Sequence, residues 1–132
     1  MITLKEALSL DKNELKEIKQ EINRVAKEKK EIGAYVEQFL DSDLSESGEG
    51  VPIAIKDNIN VKSWELTCSS KILKGYISPY NATAIEKLLA NGCSPFGRTN
   101  MDEFAMGSTT ATSQYGKTLN PIDNSKVPGG SS

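Results

Sequence analysis

One short run, Val51-Pro52-Ile53-Ala54-Ile55-Lys56-Asp57, constrains the fold more than any other part of the chain. Four apolar side chains crowd into five positions and lead directly into two charged ones. A brief apolar run bounded by polar residues is the pattern of a buried strand rather than of an amphipathic helix. Residues 52–56 therefore read as a buried strand. Lys56, at its inner end, is out of character, because a lysine belongs in water unless something holds it elsewhere. Two readings follow from the residues alone. Its stem packs and its ammonium reaches solvent, or it is buried among apolar groups. Free lysine titrates near about 10.4, and apolar surroundings favour the neutral amine, which can take a proton from a serine hydroxyl.

The segments around this run alternate helix and strand signals. Thr3-Leu4-Lys5-Glu6 fits a capping box for a short helix. Asp11, with Glu14 three residues on, fits a second cap. Leu15, Ile18, Ile22 and Val25 then recur at helical spacing, so residues 12–30 read as an amphipathic helix with a solvated Lys/Glu face, ended by Gly33. Residues 34–40 read as a strand and 41–50 as an acidic Ser/Gly loop. Residues 62–80 are irregular. Asn81 is placed to cap a helix over 82–91, stopped by Asn91-Gly92. Residues 93–98 read as a strand weakened by Pro95 and Gly97, and 101–106 as a short helix. From Gly107 onward the chain is Gly, Ser, Thr, Asn and Pro. Alternating elements of this kind predict an α/β sheet. A chain of 132 residues suits one domain.

Composition narrows the chemistry. Histidine is absent, and Cys68 and Cys93 are the only cysteines, in no CxxC. A zinc site is not expected, a Ser-His-Asp triad cannot be built, and acid–base work falls to Lys, Asp, Glu, Tyr or Cys. Two unpaired thiols fit a cytosolic protein. The start MITLKEAL shows no basic region followed by an apolar core, so no signal peptide is expected. No apolar stretch nears the roughly 18 residues of a membrane span. The net charge of −2 excludes a strongly basic nucleic-acid binder.

Two motifs are decoys. Gly116-Lys117-Thr118 ends like a phosphate loop, but Ala111 stands where that pattern needs glycine. Asn81-Ala82-Thr83 is a glycosylation sequon only in a secreted chain. Two others stay open. The terminal VPGGSS (127–132) is a flexible tail, an anion-binding nest, or a tight loop that sets a serine beside a catalytic group. MDEFAMGST (101–109) is either a capped helix end or a pocket wall of amides and hydroxyls.

Taken together, GVPIAIKDNI (50–59), TCSSKIL (67–73), GRTNMDEFAMGS (97–108) and VPGGSS resemble the amidase signature family, in that family's order and over essentially the whole chain. TNMDEFAMGST with NATAIEKLLANG (81–92) is most similar to its branch that serves tRNA-dependent amidotransferases. The resemblance implies the N-terminal part of a mixed central sheet covered by helices, with 1–32 a helical N-terminal region and 33–132 the start of the α/β core. It also implies a Ser–Ser–Lys triad. Lys56 is then the base, a buried neutral amine, and Ser131 rather than Ser132 is the bridging serine, which in the family sits on a cis peptide bond. Met106, Gly107 and Ser108 would line a glutamine pocket. The family's nucleophilic serine lies in a second Gly/Ser segment downstream of the matching part, and this chain ends before it. Ser63-Trp64 departs from the family, where a glycine turn is common.

The same resemblance implies partners. Two further proteins would complete a heterotrimer, and one of them would use ATP and Mg²⁺ to convert Glu-tRNA(Gln) to Gln-tRNA(Gln) with ammonia from glutamine. No metal is expected in this chain, and weak acidity agrees with tRNA being held by a partner. A free-standing amidase and a non-catalytic docking piece are the alternatives.

Overall fold

The computed structural model describes residues 2–36 and 49–132. Both N-terminal helices form as their caps dictate. Thr3 and Glu6 close a reciprocal capping box on α1 (Leu4–Ala7), and Asp11 and Glu14 close another on α2 (Lys12–Glu28), so the orphan N–H groups of each first turn are satisfied locally. α2 stops short of residue 30. A 3₁₀ turn, Lys30–Ile32, follows, and Gly33 at φ +68° ends it. The Lys/Glu face of α2 is not wholly solvated: Lys19 lies four residues beyond Leu15, is 3% exposed, and its Nζ donates to the Glu49 carbonyl at 2.5 Å. Burial pulls the Lys19 pKa down, against a smaller upward pull from Glu49.

The strand expected over 34–40 is represented by one antiparallel bridge, Tyr35 to Thr99. Residues 37–40, and the loop at 41–48, lie outside the described residues. β1 (Val51–Lys56) pairs in parallel with β2 (Cys93–Thr99). A parallel pair needs a crossover, and α3 (Thr83–Ala90) supplies it. Between Ile53 and Ile55 the register slips by one residue. The extra residue belongs to β2, where Gly97 takes φ +83°, so Pro95 and Gly97 are absorbed by a bulge.

One expectation about α3 is corrected. Ala82, not Asn81, is the N-cap, and it makes no side-chain capping bond. Asn81 is used across the loop instead: its Oδ1 accepts from the Lys62 N–H at 2.7 Å and its Nδ2 donates to Glu86 at 2.7 Å. Gly92, at φ +75°, follows the last turn as expected. The 101–106 helix is corrected too. Only a 3₁₀ turn forms, Glu103–Ala105, with Phe104 at φ +51°.

The core lies on one face of β1. Val51 packs with Ala7, Leu15 and Cys93, and Ile55 packs with Val61 and Ile85. Ile53 and Leu88 touch both groups. Alternation puts Pro52, Ala54 and Lys56 on the other face, and there Ala54 is exposed and Lys56 half-buried. The apolar run is thus covered on one side among the described residues, whereas strands of parallel sheets are ordinarily covered on both.

Candidate active site

The two strands run parallel, so their carboxyl ends deliver Lys56-Asp57 and Thr99-Asn100 to the same edge. Lys56 and Thr99 are register partners. Successive residues face opposite ways, which splits Lys56 from Asp57.

Asp57 turns into the core side and is 1% exposed. Its carboxylate receives Arg98 Nη1 at 2.6 Å, the Thr67 N–H and hydroxyl at 3.2 and 2.5 Å, and the Ser69 N–H at 2.9 Å. Arg98 also reaches Glu65 at 3.2 Å. A buried carboxylate needs this density of donors to stay charged. The loop that supplies them is bent hard, with Cys68 and Ser69 both at φ +51°. Left-handed backbone at non-glycine residues costs on the order of 1–2 kcal/mol each, and such residues cluster at functional sites. Cys68 and Cys93 are unpaired. Burial raises the Cys68 pKa and the Asp57 charge raises it further, which holds it as a thiol and away from nucleophilic work.

Asn100 ties three segments together. Its Oδ1 accepts from Ser69 Oγ, Ser113 Oγ and the Met101 N–H at 3.2, 2.6 and 2.9 Å. Its Nδ2 donates to the carbonyls of Gly33 and Gly116 at 3.2 and 2.9 Å.

Lys56 points the other way and meets the C-terminal loop: Nζ donates to Ser131 Oγ at 2.5 Å. Of the three open readings of VPGGSS, the tight loop beside a candidate base is the one the geometry adopts. The Gly130–Ser131 peptide bond is cis. The Ser131 carbonyl accepts from the Asp102 N–H at 2.7 Å. Asp102 is fully buried, and its carboxylate takes the Thr109 N–H at 3.1 Å and the Thr112 hydroxyl at 3.2 Å. Burial raises the Asp102 pKa, but the N–H groups of Thr110, Thr109 and Thr112 with the Thr112 hydroxyl outweigh it, so the carboxyl titrates below its ordinary value.

The paired glycines have separate reasons. Gly129 takes φ +109° with open space around it, a conformation that favours glycine. Gly130 is chosen for space. A Cβ there would sit 2.5 Å from Asp102 Oδ2, 2.5 Å from the Ser108 carbonyl carbon and 2.6 Å from its Cα. Gly130→Ala in the full-length protein should therefore destabilise it by about 2–3 kcal/mol, the upper range for overpacking. The check is the denaturant midpoint at unchanged m-value. A midpoint equal to wild type would show that the segment gives way freely.

The sequence-derived residues are placed as follows. Lys56 and Ser131 meet. The Ser108 backbone lies against Gly130. Gly107 packs on the Asp102 carboxylate so closely that a side chain there would overlap it. Met106 is 75% exposed. The expected burial of Lys56 is corrected to half-burial, because its face of β1 is covered only in part. Asp57, Arg98, Asn100 and Asp102 organise the site and were not singled out from sequence. Their signal was charge and amide groups set at the ends of apolar runs. Ser63 occupies a left-handed position, φ +70°, the conformation a glycine turn would supply. Among the described residues no group of three or more His, Cys, Asp or Glu side chains could hold a metal ion, and no helix is long and apolar enough to cross a membrane.

Comparison with known proteins gives the geometry a context. A family model described as Amidase matches residues 12–132. The A-subunit of glutamyl-tRNA(Gln) amidotransferase from Campylobacter lari is 70% identical over 132 residues, covering 100% of this chain and 29% of that protein. Its counterpart from Aliarcobacter butzleri is 70% identical with the same coverage. The crystal structure of the glutamyl-tRNA(Gln) amidotransferase A-subunit from Thermotoga maritima superposes with a TM-score of 0.85 at 36% identity, over 98% of this chain and 29% of that one. The native peptide amidase of Stenotrophomonas maltophilia superposes with a TM-score of 0.70 at 25% identity, over 92% and 29%. The chain thus spans a little under a third of the length of these relatives.

Proposed function

The chain belongs to the amidase family, and from that footing we propose that it is the N-terminal part of the glutamine-hydrolysing component of a tRNA-dependent amidotransferase. The observation that carries the proposal is the contact between Lys56 Nζ and Ser131 Oγ at 2.5 Å, made by residues 75 positions apart in a chain 70% identical to amidotransferase A-subunits. Lys56 is the base and Ser131 the bridging group. As a nucleophilic serine, outside these 132 residues, attacks the side-chain amide of glutamine, its hydroxyl proton passes to Ser131 Oγ while the Ser131 proton passes to the amine of Lys56. Backbone amides stabilise the developing oxyanion. Lys56 returns the proton through Ser131 to the leaving nitrogen, ammonia departs, and water releases glutamate from the acyl-enzyme. Met106, Gly107 and Ser108 form the near wall of the glutamine pocket, completed by downstream chain.

Ammonia then serves a partner. Two other proteins complete the complex in the cytoplasm, and one uses ATP and Mg²⁺ to amidate Glu-tRNA(Gln). The test is to purify the full-length protein with its partners and measure ammonia from glutamine together with Gln-tRNA(Gln) formation. Both activities are expected, and the 132 residues alone should release no ammonia. Full-length protein that purifies without partners and hydrolyses other amides but not glutamine would favour a free-standing amidase, the reading its likeness to the peptide amidase supports.

A further inference from the structure

Asp102 directly precedes a 3₁₀ turn, a place where aspartate ordinarily caps, yet it makes no capping bond. Both carboxylate oxygens are turned instead to the loop that follows, one to the Thr109 N–H and the other to the Thr112 hydroxyl. Its backbone N–H is turned to the Ser131 carbonyl. Two glycines far apart in sequence, Gly107 and Gly130, close on the same carboxylate, and neither has room for a Cβ. One buried side chain thus stands between the segment bearing the bridging serine and the loop bearing the pocket wall. A buried charge satisfied only by N–H and O–H donors needs those donors held in place, so the carboxylate orders both segments at once.

We propose that Asp102 is a positioning residue that locks the Gly130–Ser131 segment against the Met106–Thr109 loop and so fixes the Ser131 hydroxyl relative to the bound amide. The inference rests on the amidase reading above. Asp102 touches neither substrate nor transferred proton; it acts through Ser131 and the loop.

The test uses the full-length protein in its complex. In Asp102→Asn the new amide N–H₂ faces donors, and displacement of Ser131 by about 1 Å should lower kcat for ammonia release about 10²-fold. Thr112→Val, which removes one donor and keeps the charge, should lower kcat by about tenfold. The shape of the pH–kcat profile should be unchanged in both, since Asp102 does not exchange protons during turnover. If the Asn variant fails to assemble, Thr112→Val decides. Wild-type kcat in Thr112→Val or in Asp102→Asn, with only a lowered Tm, would overturn the inference and make Asp102 purely structural. A shifted profile would overturn it in favour of direct acid–base work. Wild-type complex that releases no ammonia from glutamine would instead strike the amidase reading itself.

Discussion

Lys56→Ala in the full-length protein should lower glutamine-dependent ammonia release by about 10³-fold, the middle of the range for removing a positioned base. The expectation follows from where Lys56 stands. It shares a face of β1 with Pro52 and Ala54, away from the core packed under Val51 and Ile55. Its removal therefore leaves the core unbroken, and the Tm should stay close to wild type. Lys56→Arg sharpens the result. Arginine carries a fixed charge and can donate to Ser131, but it cannot give up its proton in a protein. It should be as inactive as alanine. A Lys56→Arg variant with substantial activity would mean that the site needs a cation rather than a base.

The second large effect is on stability. Asp57→Ala should cost about 3–5 kcal/mol, the range for stripping one partner from a buried pair. Asp57 and Arg98 are 1% and 3% exposed, and removing the carboxylate takes an acceptor from Thr67, Ser69 and Arg98 at once. Glu65 cannot substitute, because it meets the other arm at 3.2 Å and is itself partly exposed. Chemical denaturation of the full-length protein is the measurement. The paired replacement Asp57→Asn with Arg98→Met should recover part of the loss, since it removes the uncompensated charge. A single Asp57→Ala within about 0.5 kcal/mol of wild type, the ordinary range for surface changes, would show that the network contributes nothing.

Local signals were legible where the physics is local. Both N-terminal caps are formed by residues three apart, and the sequence displays each box whole. Gly33 and Gly92 end their elements because left-handed backbone is needed one residue at a time. Asn81 misled for the opposite reason. A helix-capping residue by pattern, it is taken by Glu86 in the helix's first turn and by Lys62, 19 residues earlier, and nothing within its own turn foretells the second. The same holds for Asp102, whose partners lie in the loop beyond the turn it precedes. The apolar run at 51–56 announced a strand, but not which face would be covered. That depends on elements far along the chain, and it is why Lys56 is half-buried rather than buried. The meeting of Lys56 with Ser131 spans 75 residues. Pattern alone left three readings of the Gly-Gly-Ser loop open, and the family resemblance chose among them.

The central claim is that Lys56 and Ser131 are two members of one proton relay. A double-mutant cycle on kcat for glutamine hydrolysis, using Lys56→Ala, Ser131→Ala and the double variant in the assembled full-length enzyme, tests it most directly. Residues that act as a unit give strongly non-additive losses, so the double variant should be no slower than the slower single variant. Losses that multiply would show that the two residues act independently and would contradict the relay.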